Sequence, residues 1–463
     1  MQLTEKEIEV KARNGRALKP RAENPFFGGG GPITTSLLQN DFYKFSMGQF
    51  IFHRYPDTIV EFALNNRSHK SIRFAEEVGE EDLRRELDLA RKVKLRKKEM
   101  DYFRGLRFVD HVVVYAPKKI AYPRVFADDY LDFMSTYRLP PYQLTKTSDG
   151  QYDLRFRGRW IDVTFWECVA LRTLNTLRVR ALMRRFSKAE QMEIVDGARE
   201  YLNALIAFML EHPSVKMVEF GFRRAAAPDW QDEVDAELVR VLFPKQLLGI
   251  SNVFLARKYR VPPSGTMAHE LFVVLQGIYH DEDDRAGTME SHQRVLWEWD
   301  DEWKGELSLA LTDTYGSKYF FDNFPEELAR RWRGFRQDSG DPVKFLDRAE
   351  AFLVKLCIPS LSKLTVPSDG LTEQIVLDVD TAAKNRFPIV YGWGTHVTFR
   401  MPRIPAASIV IKAVKAVDPK GVEYELVKLS DNPAKATGTR EVIDRVKRLS
   451  GNSADTTYVE TVY

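Results

Sequence analysis

The segment RQDSGDP (336–342) combines a guanidinium group and two carboxylates around a short turn. Arg336 supplies the guanidinium, Asp338 and Asp341 supply the carboxylates, and Pro342 suits the first position of a following helix. An arginine can hold a planar anion with two parallel hydrogen bonds, and carboxylates beside it can bind a metal ion or sugar hydroxyls. The segment therefore predicts a site for an anionic, phosphorylated and metal-bound substrate.

The segment GTMAHE (265–270) places a histidine just after a Gly-Thr turn. His269 falls in the first turn of an apolar helix predicted to begin at Ala268, so its imidazole can face a site as an acid, a base or a nucleophile. Glu270 beside it could orient the ring. The metalloprotease pattern HExxH is absent because Val273 stands at its second histidine position. A helix-capping or core histidine is the alternative from these residues alone.

A third segment, GWGT (392–395), follows an apolar run near the end of the chain. Backbone N–H groups in such a turn can form a nest for an anion, and the Thr395 hydroxyl adds a donor of the kind that a sugar phosphate needs. A tight turn without a ligand is the alternative. Its position one or two strand–helix units after the RQDSGDP segment favours the phosphate interpretation.

The composition is that of an ordinary globular protein. The 463 residues include 69 lysines and arginines and 66 aspartates and glutamates, and this balance gives no support to a nucleic-acid-binding protein. Neither Cys168 nor Cys357 belongs to a CxxC pattern, which argues against a disulfide framework or a zinc site and fits a reducing cytosol. No signal-peptide pattern and no run of about 18 apolar residues occurs. We therefore expect a soluble cytoplasmic protein that does not bind membranes.

Helical patterns occupy much of the first part of the chain. Residues 37–55 predict a helix that either Asn40 or Asp41 caps. Residues 80–100 predict one long helix, and their high charge indicates a solvent-exposed face, with a patch for acidic partners as the alternative.

From about residue 215 short apolar runs alternate with helical patterns, which is typical of a parallel α/β architecture, either a barrel or a doubly wound sheet. The runs are VKMVEF (215–220), QLLGI (246–250), LSLALT (307–312), RWRGF (331–335), KLTVP (363–367) and PIVYGW (388–393). The polar residues that follow them are Arg223, Arg224, Ser251, Asn252, Asp313, Arg336, Asp338, Asp341, Ser368, Asp369, Gly370, Gly394 and Thr395. Since the loops that follow barrel strands converge at one end, this pattern favours a barrel whose mouth holds the site.

The order of these motifs resembles that of the nicotinate phosphoribosyltransferases. The resemblance covers residues 36 to 437, and its most specific pieces are GTMAHE and RQDSGDP. The other matching pieces are SLLQNDFYKFSMGQ (36–49), FGFRRA (220–225), GISN (249–252), ALTDT (310–314), SDG (368–370), YGWGT (391–395) and VKLSDNPAK (427–435).

The resemblance implies the type II phosphoribosyltransferase fold. This fold is an irregular, TIM-like α/β barrel joined to an N-terminal α+β domain that the C-terminal segment completes. The corresponding ranges are a flexible N-terminal extension at 1–35, the N-terminal domain at 36–165, the barrel at 166–405 and the C-terminal segment at 406–463. A homodimer with its active sites at the subunit junction is also implied.

The resemblance further implies the first step of NAD biosynthesis from nicotinate. Nicotinate and 5-phosphoribosyl 1-pyrophosphate would give nicotinate mononucleotide and pyrophosphate, with ATP as co-substrate. His269 matches the histidine that ATP phosphorylates, and Arg336 and Asp338 match catalytic positions. Asp338 and Asp341 would hold Mg²⁺. The residues implied for nicotinate are Tyr43 of the partner subunit, Phe220, Arg223, Ser251, Thr266 and Arg336. Those implied for phosphoribosyl pyrophosphate are Asp338, Ser339, Gly340, Asp341, Asp369, Gly394 and Thr395.

Two other functions stay open at this point. A nicotinamide phosphoribosyltransferase would share this layout, but relatives that use the amide resemble a Gly-Thr-Asp pattern at 249–251, where this chain has Gly-Ile-Ser. Because an aspartate accepts from an amide but repels a carboxylate, Ser251 favours nicotinate. The second alternative is a non-catalytic barrel that binds sugar phosphates. Phe222, Ile250 and Trp393 are larger than the residues usual in the family, which predicts a change in pocket shape.

Overall fold

The computed structural model describes residues 24–27, 31–279 and 285–450, so much of the expected N-terminal extension and the last part of the C-terminal segment lie outside the described residues. The strands are β1 (Ile59–Asn66), β2 (Leu106–Val109), β3 (Val112–Tyr115), β4 (Gln143–Lys146), β5 (Tyr152–Arg159), β6 (Met217–Glu219), β7 (Leu247–Ile250), β8 (Leu309–Leu311), β9 (Gly334–Gln337), β10 (Leu364–Pro367), β11 (Tyr391–Trp393), β12 (Ile409–Val417) and β13 (Glu423–Glu425). The α-helices are α1 (Phe42–Arg54), α2 (Phe74–Glu77), α3 (Glu80–Arg91), α4 (Lys97–Arg104), α5 (Asp128–Thr136), α6 (Trp160–Val163), α7 (Trp166–Met183), α8 (Lys188–Glu211), α9 (Pro228–Leu242), α10 (Val253–Tyr259), α11 (His269–Tyr279), α12 (Arg285–Trp303), α13 (Ser317–Asn323), α14 (Glu326–Arg331), α15 (Pro342–Lys355), α16 (Glu373–Ala383), α17 (Thr395–Thr398) and α18 (Arg440–Ser450).

A five-stranded antiparallel sheet joins the N-terminal region to the C-terminal segment. Its strand order is β13-β12-β1-β5-β4, so β12 pairs directly with β1. Side chains alternate between the two faces of a strand, and Ile409, Ile411 and Ala413 of β12 are buried on one face. Val410 and Lys412 occupy the other face. The C-terminal segment therefore completes the N-terminal sheet, which confirms the fold that the resemblance implied.

Two three-stranded parallel sheets form the second part of the molecule. One has the order β10-β9-β8, the other has the order β11-β6-β7, and a parallel bridge between Thr365 and Ile389 joins them. The carboxyl ends of parallel strands lie on the same side of such a sheet, as the α/β interpretation requires. No strand pairing within the described ranges joins β7 to β8, so the wall of the barrel is interrupted there.

The helices agree with the sequence patterns except over residues 80–100 and at the start of the helix predicted over 37–55, which begins only at Phe42. Helix α1 begins after Asp41, which is one of the two predicted caps. The single helix predicted over 80–100 is wrong, because the chain forms α3 and then a separate α4. The Glu99 carboxylate accepts a hydrogen bond from the Arg96 backbone N–H at 2.7 Å and so begins the second helix independently. No helix among the residues placed by the structure is both long and apolar enough to span a membrane.

Helix α11 carries His269 at its first position and is buried along nearly its whole length. It packs between β12 and α12, so the antiparallel sheet and the barrel both fix its position. A side chain at Gly277 would collide with Leu426, so glycine permits the close approach of the C-terminal segment to this helix. The position of His269 therefore depends on both parts of the fold.

Ile411→Ala tests whether β12 belongs to the stable core. Ile411 is fully buried on the face of β12 opposite to Lys412, and its truncation should lower the free energy of unfolding by about 2–5 kcal/mol. Urea denaturation followed by circular dichroism measures this change. As a control, Val422→Ala removes an exposed apolar side chain between β12 and β13 and should change stability by less than about 0.5 kcal/mol. Equal effects of the two substitutions would contradict the placement of β12.

Candidate active site

A cavity of about 450 Å³ opens where β6, β9, β10 and β11 end. This volume is within the usual range for small-molecule sites, and the cavity lies where α/β barrels place such sites. Its lining includes Phe220 after β6, Arg336 on β9, Asp369 after β10 and Thr395 after β11. The cavity therefore collects the polar residues that follow successive strands.

Arg336 is held rigidly at the wall of this cavity. Its Nε donates to Ser368 Oγ at 2.9 Å, and its Nη2 donates to Asp338 Oδ1 at 2.9 Å. The centre of the guanidinium lies 5.5 Å from the centroid of the Phe220 ring. A planar cation and an aromatic ring thus face the same cavity, and together they suit a planar, aromatic anion.

His269 is buried beside this arginine and is neutral at physiological pH. Its Nδ1 lies 3.0 Å from Thr314 Oγ1 and its Nε2 lies 3.1 Å from Asp338 Oδ2. Burial lowers the pKa of His269 to about 4. Lys428 also lowers this pKa, whereas the nearby carboxylates act to raise it. Since an ionised Asp338 can only accept, Nε2 carries the proton and Nδ1 keeps its lone pair. The ring is therefore an uncharged base or nucleophile held by two side chains.

Two carboxylates surround His269. Burial acts to raise the pKa of Asp338, but Arg336 and His269 outweigh it and hold the pKa well below its usual value. Asp313 is fully buried, and its Oδ2 accepts from Ser339 Oγ at 2.5 Å. Its Oδ1 has no hydrogen-bond partner among the described residues and lies 3.6 Å from His269 Nε2.

The ionisation of Asp313 depends on the C-terminal segment. Lys428 Nζ lies 3.2 Å from Asp313 Oδ2. Burial acts to raise the pKa of Asp313, whereas Lys428 and His269 lower it, and the net pKa is below the usual value. One potential ligand atom each of His269, Asp313 and Asp338 lies within 4.8 Å of the others, which makes this group a candidate cation site.

Cations from several segments line the rest of the cavity. The C-terminal segment contributes Lys412, Lys428 and Lys435. Lys435 forms an ion pair with Asp369. Burial raises the pKa of Asp369 and outweighs Lys435, which acts to lower it. The arginines of the lining are Arg67, Arg223, Arg224, Arg336 and Arg400. This concentration of positive charge suits a ligand with several phosphate groups.

The structure brings eight of the sequence-predicted site residues to the cavity and places six elsewhere. The eight are Phe220, Arg223, His269, Arg336, Asp338, Asp369, Gly394 and Thr395. The six outside its lining are Tyr43, Ser251, Thr266, Ser339, Gly340 and Asp341.

Asp341 and Glu270 have structural contacts in place of the predicted ones. The Asp341 carboxylate accepts from the Val343 and Lys344 backbone N–H groups at 2.8 and 3.2 Å and so caps α15, which argues against Mg²⁺ binding at this residue. The Glu270 carboxylate accepts from Thr164 Oγ1 at 2.6 Å and also from Lys44, so it does not orient the His269 ring.

Ser251 and Tyr43 lie behind the cavity wall. Ser251 Oγ donates to Asp41 Oδ1 at 2.7 Å and is buried, so its hydroxyl supports another side chain, and a contact with the substrate stays a prediction. Tyr43 donates to Glu167 Oε2 at 3.1 Å, and its ring lies 5.7 Å from the Arg223 guanidinium of the same chain. A role for Tyr43 across a dimer stays a prediction.

Ser339, Gly340 and Thr266 support the site through the backbone or through neighbours. The Ser339 hydroxyl bonds Asp313 and accepts from the Asp431 backbone N–H at 3.0 Å. Gly340 has a φ of 76°, a left-handed conformation that glycine adopts most easily. The Thr266 carbonyl accepts from Ser46 Oγ at 2.8 Å.

The three bulky residues noted in the sequence have different positions. Phe222 and Ile250 are fully buried and do not line the cavity, and the Phe222 ring lies 4.6 Å from the guanidinium carbon of Arg172. Trp393 does line the cavity, and its Nε1 donates to the Leu371 carbonyl at 3.0 Å. Only Trp393 therefore affects the cavity wall directly.

Asp313 was predicted only as a strand-end residue without a role, and Thr314 and the three lysines were not predicted as site residues. Asp313 and Thr314 belong to the ALTDT segment, and Lys428 and Lys435 belong to the VKLSDNPAK segment, so motif membership was an available signal for these four. Lys412 lies in an apolar strand without such a signal.

Known families and structures match this chain over most of its length. The family model for the nicotinate phosphoribosyltransferase (NAPRTase) N-terminal domain matches residues 38–175, and the model for the NAPRTase family matches residues 215–453. The nicotinate phosphoribosyltransferase of Porphyromonas gingivalis is similar at 26% identity and a TM-score of 0.78, with 90% of this chain and 100% of that chain covered. The enzyme of Vibrio cholerae is similar at 25% identity and a TM-score of 0.78, with 93% and 97% covered. The chain therefore belongs to the nicotinate phosphoribosyltransferase family.

Proposed function

We propose that this chain transfers the phosphoribosyl group of 5-phosphoribosyl 1-pyrophosphate to nicotinate. The products are nicotinate mononucleotide and pyrophosphate, and the reaction is the first step of NAD biosynthesis from nicotinate. The observation that carries this proposal is the cavity in which Phe220 and Arg336 face Asp338, Asp369 and the glycine-rich turn. Family membership supports the same activity.

Nicotinate would bind at the Phe220 and Arg336 end of the cavity. Its pyridine ring would stack on Phe220, a contact that contributes about 0.5–1.5 kcal/mol beyond burial. Arg336 would meet the carboxylate, and Arg223 is a second cation for it. The positive charge at both arginines favours nicotinate over uncharged nicotinamide.

Phosphoribosyl pyrophosphate would occupy the more polar end. Asp338 and Asp369 would accept from the ribose hydroxyls, the glycine-rich turn with Thr395 would bind the 5′-phosphate, and the lysines would neutralise the pyrophosphate. The nicotinate nitrogen attacks C1 of the ribose as the bond to pyrophosphate breaks, through a state with oxocarbenium character. Positioning and charge neutralisation supply most of the acceleration because the step needs little proton transfer.

We also propose that ATP phosphorylates His269. The neutral ring attacks the terminal phosphorus with its unprotonated nitrogen, so that an N–P bond forms, a P–O bond breaks and ADP leaves. Asp338 stabilises the positive charge that develops on the ring through its contact with Nε2. Hydrolysis of the phosphohistidine would then couple ATP to product formation.

Mg²⁺ would be held by Asp338 and Asp313. Mg²⁺ prefers oxygen ligands, and the buried Asp313 Oδ1 has no hydrogen-bond partner in the part of the chain that the structure describes. This pair therefore fits the ion better than the capping carboxylate of Asp341. When bound, the ion would neutralise charge on the pyrophosphate.

We further propose a cytoplasmic homodimer, and the dimer is supported by the resemblance alone.

Arg336→Lys tests the substrate assignment. A lysine cannot reproduce the planar, two-point contact with a carboxylate, so kcat/KM for nicotinate should fall about a hundredfold. Conversion of labelled nicotinate or nicotinamide to mononucleotide measures this change, and Arg330→Lys on the exposed face of α14 serves as the matched control. If the parent protein forms product from nicotinamide alone, the assignment of nicotinate as substrate is wrong. If the parent forms product from neither compound, a non-catalytic barrel is favoured.

His269→Ala tests the coupling to ATP. This variant should lose the stimulation by ATP and all labelling from [γ-³²P]ATP but keep some basal transfer, because the phosphoribosyl step does not use the imidazole. His111→Ala replaces an exposed histidine outside the cavity and should behave like the parent. Stimulation by ATP that survives in His269→Ala would disprove the phosphohistidine.

Asp313→Asn and Asp341→Asn together test the metal site. Loss of the Asp313 charge should raise the Mg²⁺ concentration for half-maximal activity about tenfold. Asn also caps helices well, so Asp341→Asn should leave both stability and the Mg²⁺ requirement close to those of the parent. A raised Mg²⁺ requirement in Asp341→Asn alone would restore the assignment made from the sequence.

A further inference from the structure

The carboxylate of Glu167 on α7 is buried and accepts contacts from four donors. Its Oε2 lies 2.8 Å from Lys44 Nζ and 3.1 Å from Tyr43 Oη, both on α1. Its Oε1 lies 3.1 Å from Arg223 Nη1 and 3.3 Å from Lys412 Nζ. The side chain is only 2% exposed, so these donors compensate a charge that is largely removed from bulk water.

The two oxygens of Glu167 meet different parts of the molecule. The donors on Oε2 belong to the core of the N-terminal domain, whereas both donors on Oε1 line the cavity. Arg223 follows β6 of the barrel and Lys412 lies on β12 of the antiparallel sheet. Two cations from separate segments would repel each other at this spacing, and the shared oxygen between them offsets that repulsion.

We propose that Glu167 is a positioning residue that holds Arg223 and Lys412 together as a paired cation site for a substrate anion. The proposal rests on the proposed function of the cavity. The anion is a carboxylate of nicotinate or a phosphate of phosphoribosyl pyrophosphate, since both groups suit two adjacent cations.

The protonation of Lys412 provides a readout of this arrangement. Burial lowers the pKa of Lys412 to about 8, Glu167 acts to raise it, and Arg223, Lys428 and Arg67 act to lower it. The lysine is therefore charged below about pH 8 and loses its charge above that pH, so anion affinity should weaken as the pH rises through this value. Without the charge of Glu167 the pKa of Lys412 falls further, and the weakening should begin at lower pH.

Glu167→Gln, Glu167→Asp and Lys412→Arg test the proposal by steady-state kinetics between about pH 6 and pH 10. Glu167→Gln should raise the KM of one substrate about tenfold or more with a smaller change in kcat, and its alkaline loss of kcat/KM should begin at lower pH. Glu167→Asp keeps the negative charge that the surrounding cations need for folding, but its shorter side chain moves the carboxylate away from Arg223 and Lys412. KM should therefore rise, while the alkaline loss of kcat/KM should begin near the parental pH. Lys412→Arg in the parent protein should keep KM close to the parental value. It should also abolish the alkaline loss of kcat/KM, since arginine stays charged.

The control and the contrary outcomes are defined by the same assays. Glu99→Gln changes another buried carboxylate, in the N-terminal domain and outside the cavity lining, and should leave both KM values and the pH profile unchanged. A selective rise in the KM of nicotinate identifies its carboxylate as the anion, and a selective rise for phosphoribosyl pyrophosphate identifies a phosphate. Folded Glu167→Gln and Glu167→Asp with parental KM values and pH profiles would overturn the proposal.

Failure of the proposed function is distinguishable from failure of this inference. A parent protein without turnover refutes the function, whereas an active parent with unaffected Glu167 variants refutes only the positioning role. Calorimetric titration with nicotinate and with inorganic pyrophosphate measures the affinity of the cation pair for each anion in the absence of turnover. Equal affinities of the parent and Glu167→Gln for both probes would also overturn the proposal.

Discussion

Charged groups removed from water must be compensated by opposite charges or by hydrogen bonds, and this constraint organises the whole region around the cavity. Glu167, Asp313 and Asp338 are carboxylates beside or beneath the cavity, and each contacts a lysine, arginine or histidine. Their partners come from α1, the barrel and the C-terminal segment. The compensation is complete only when these parts pack together, so the antiparallel sheet that joins β12 to β1 is a requirement of the site as well as of the fold.

Neighbouring buried groups have different charge states in this region. The pKa of His269 falls to about 4 because its ring is buried, and the ring is neutral near pH 7. Asp338 is held in its charged form because Arg336 and His269 outweigh the same burial. A neutral nitrogen thus lies beside an ionised carboxylate, a combination that suits nucleophilic attack on phosphorus and stabilisation of the resulting positive charge.

The sequence patterns predicted the strand ends well because parallel strands bring their carboxyl ends to one side. Arg336, Asp338 and His269 therefore meet as expected, although His269 and Asp338 are 69 positions apart in the sequence. Predictions from immediate neighbours were less successful. Successive residues of a helix point about 100° apart, so Glu270 faces Lys44 while His269 faces the cavity. Asp341 lies at a helix start, where its carboxylate satisfies backbone N–H groups, and a role for it in binding Mg²⁺ or substrate stays a prediction.

The sequence by itself determined the alternation of strands and helices, the family resemblance and the residue types at the strand ends, because these depend on local periodicity and on contiguous motifs. Only the tertiary structure decided which charges share a carboxylate. Lys412 lies in an apolar strand with no sign of a functional role, yet the pairing of β12 with β1 places it 3.3 Å from Glu167 and at the cavity. Such contacts join segments that are distant along the chain, and their existence depends on the packing of both domains.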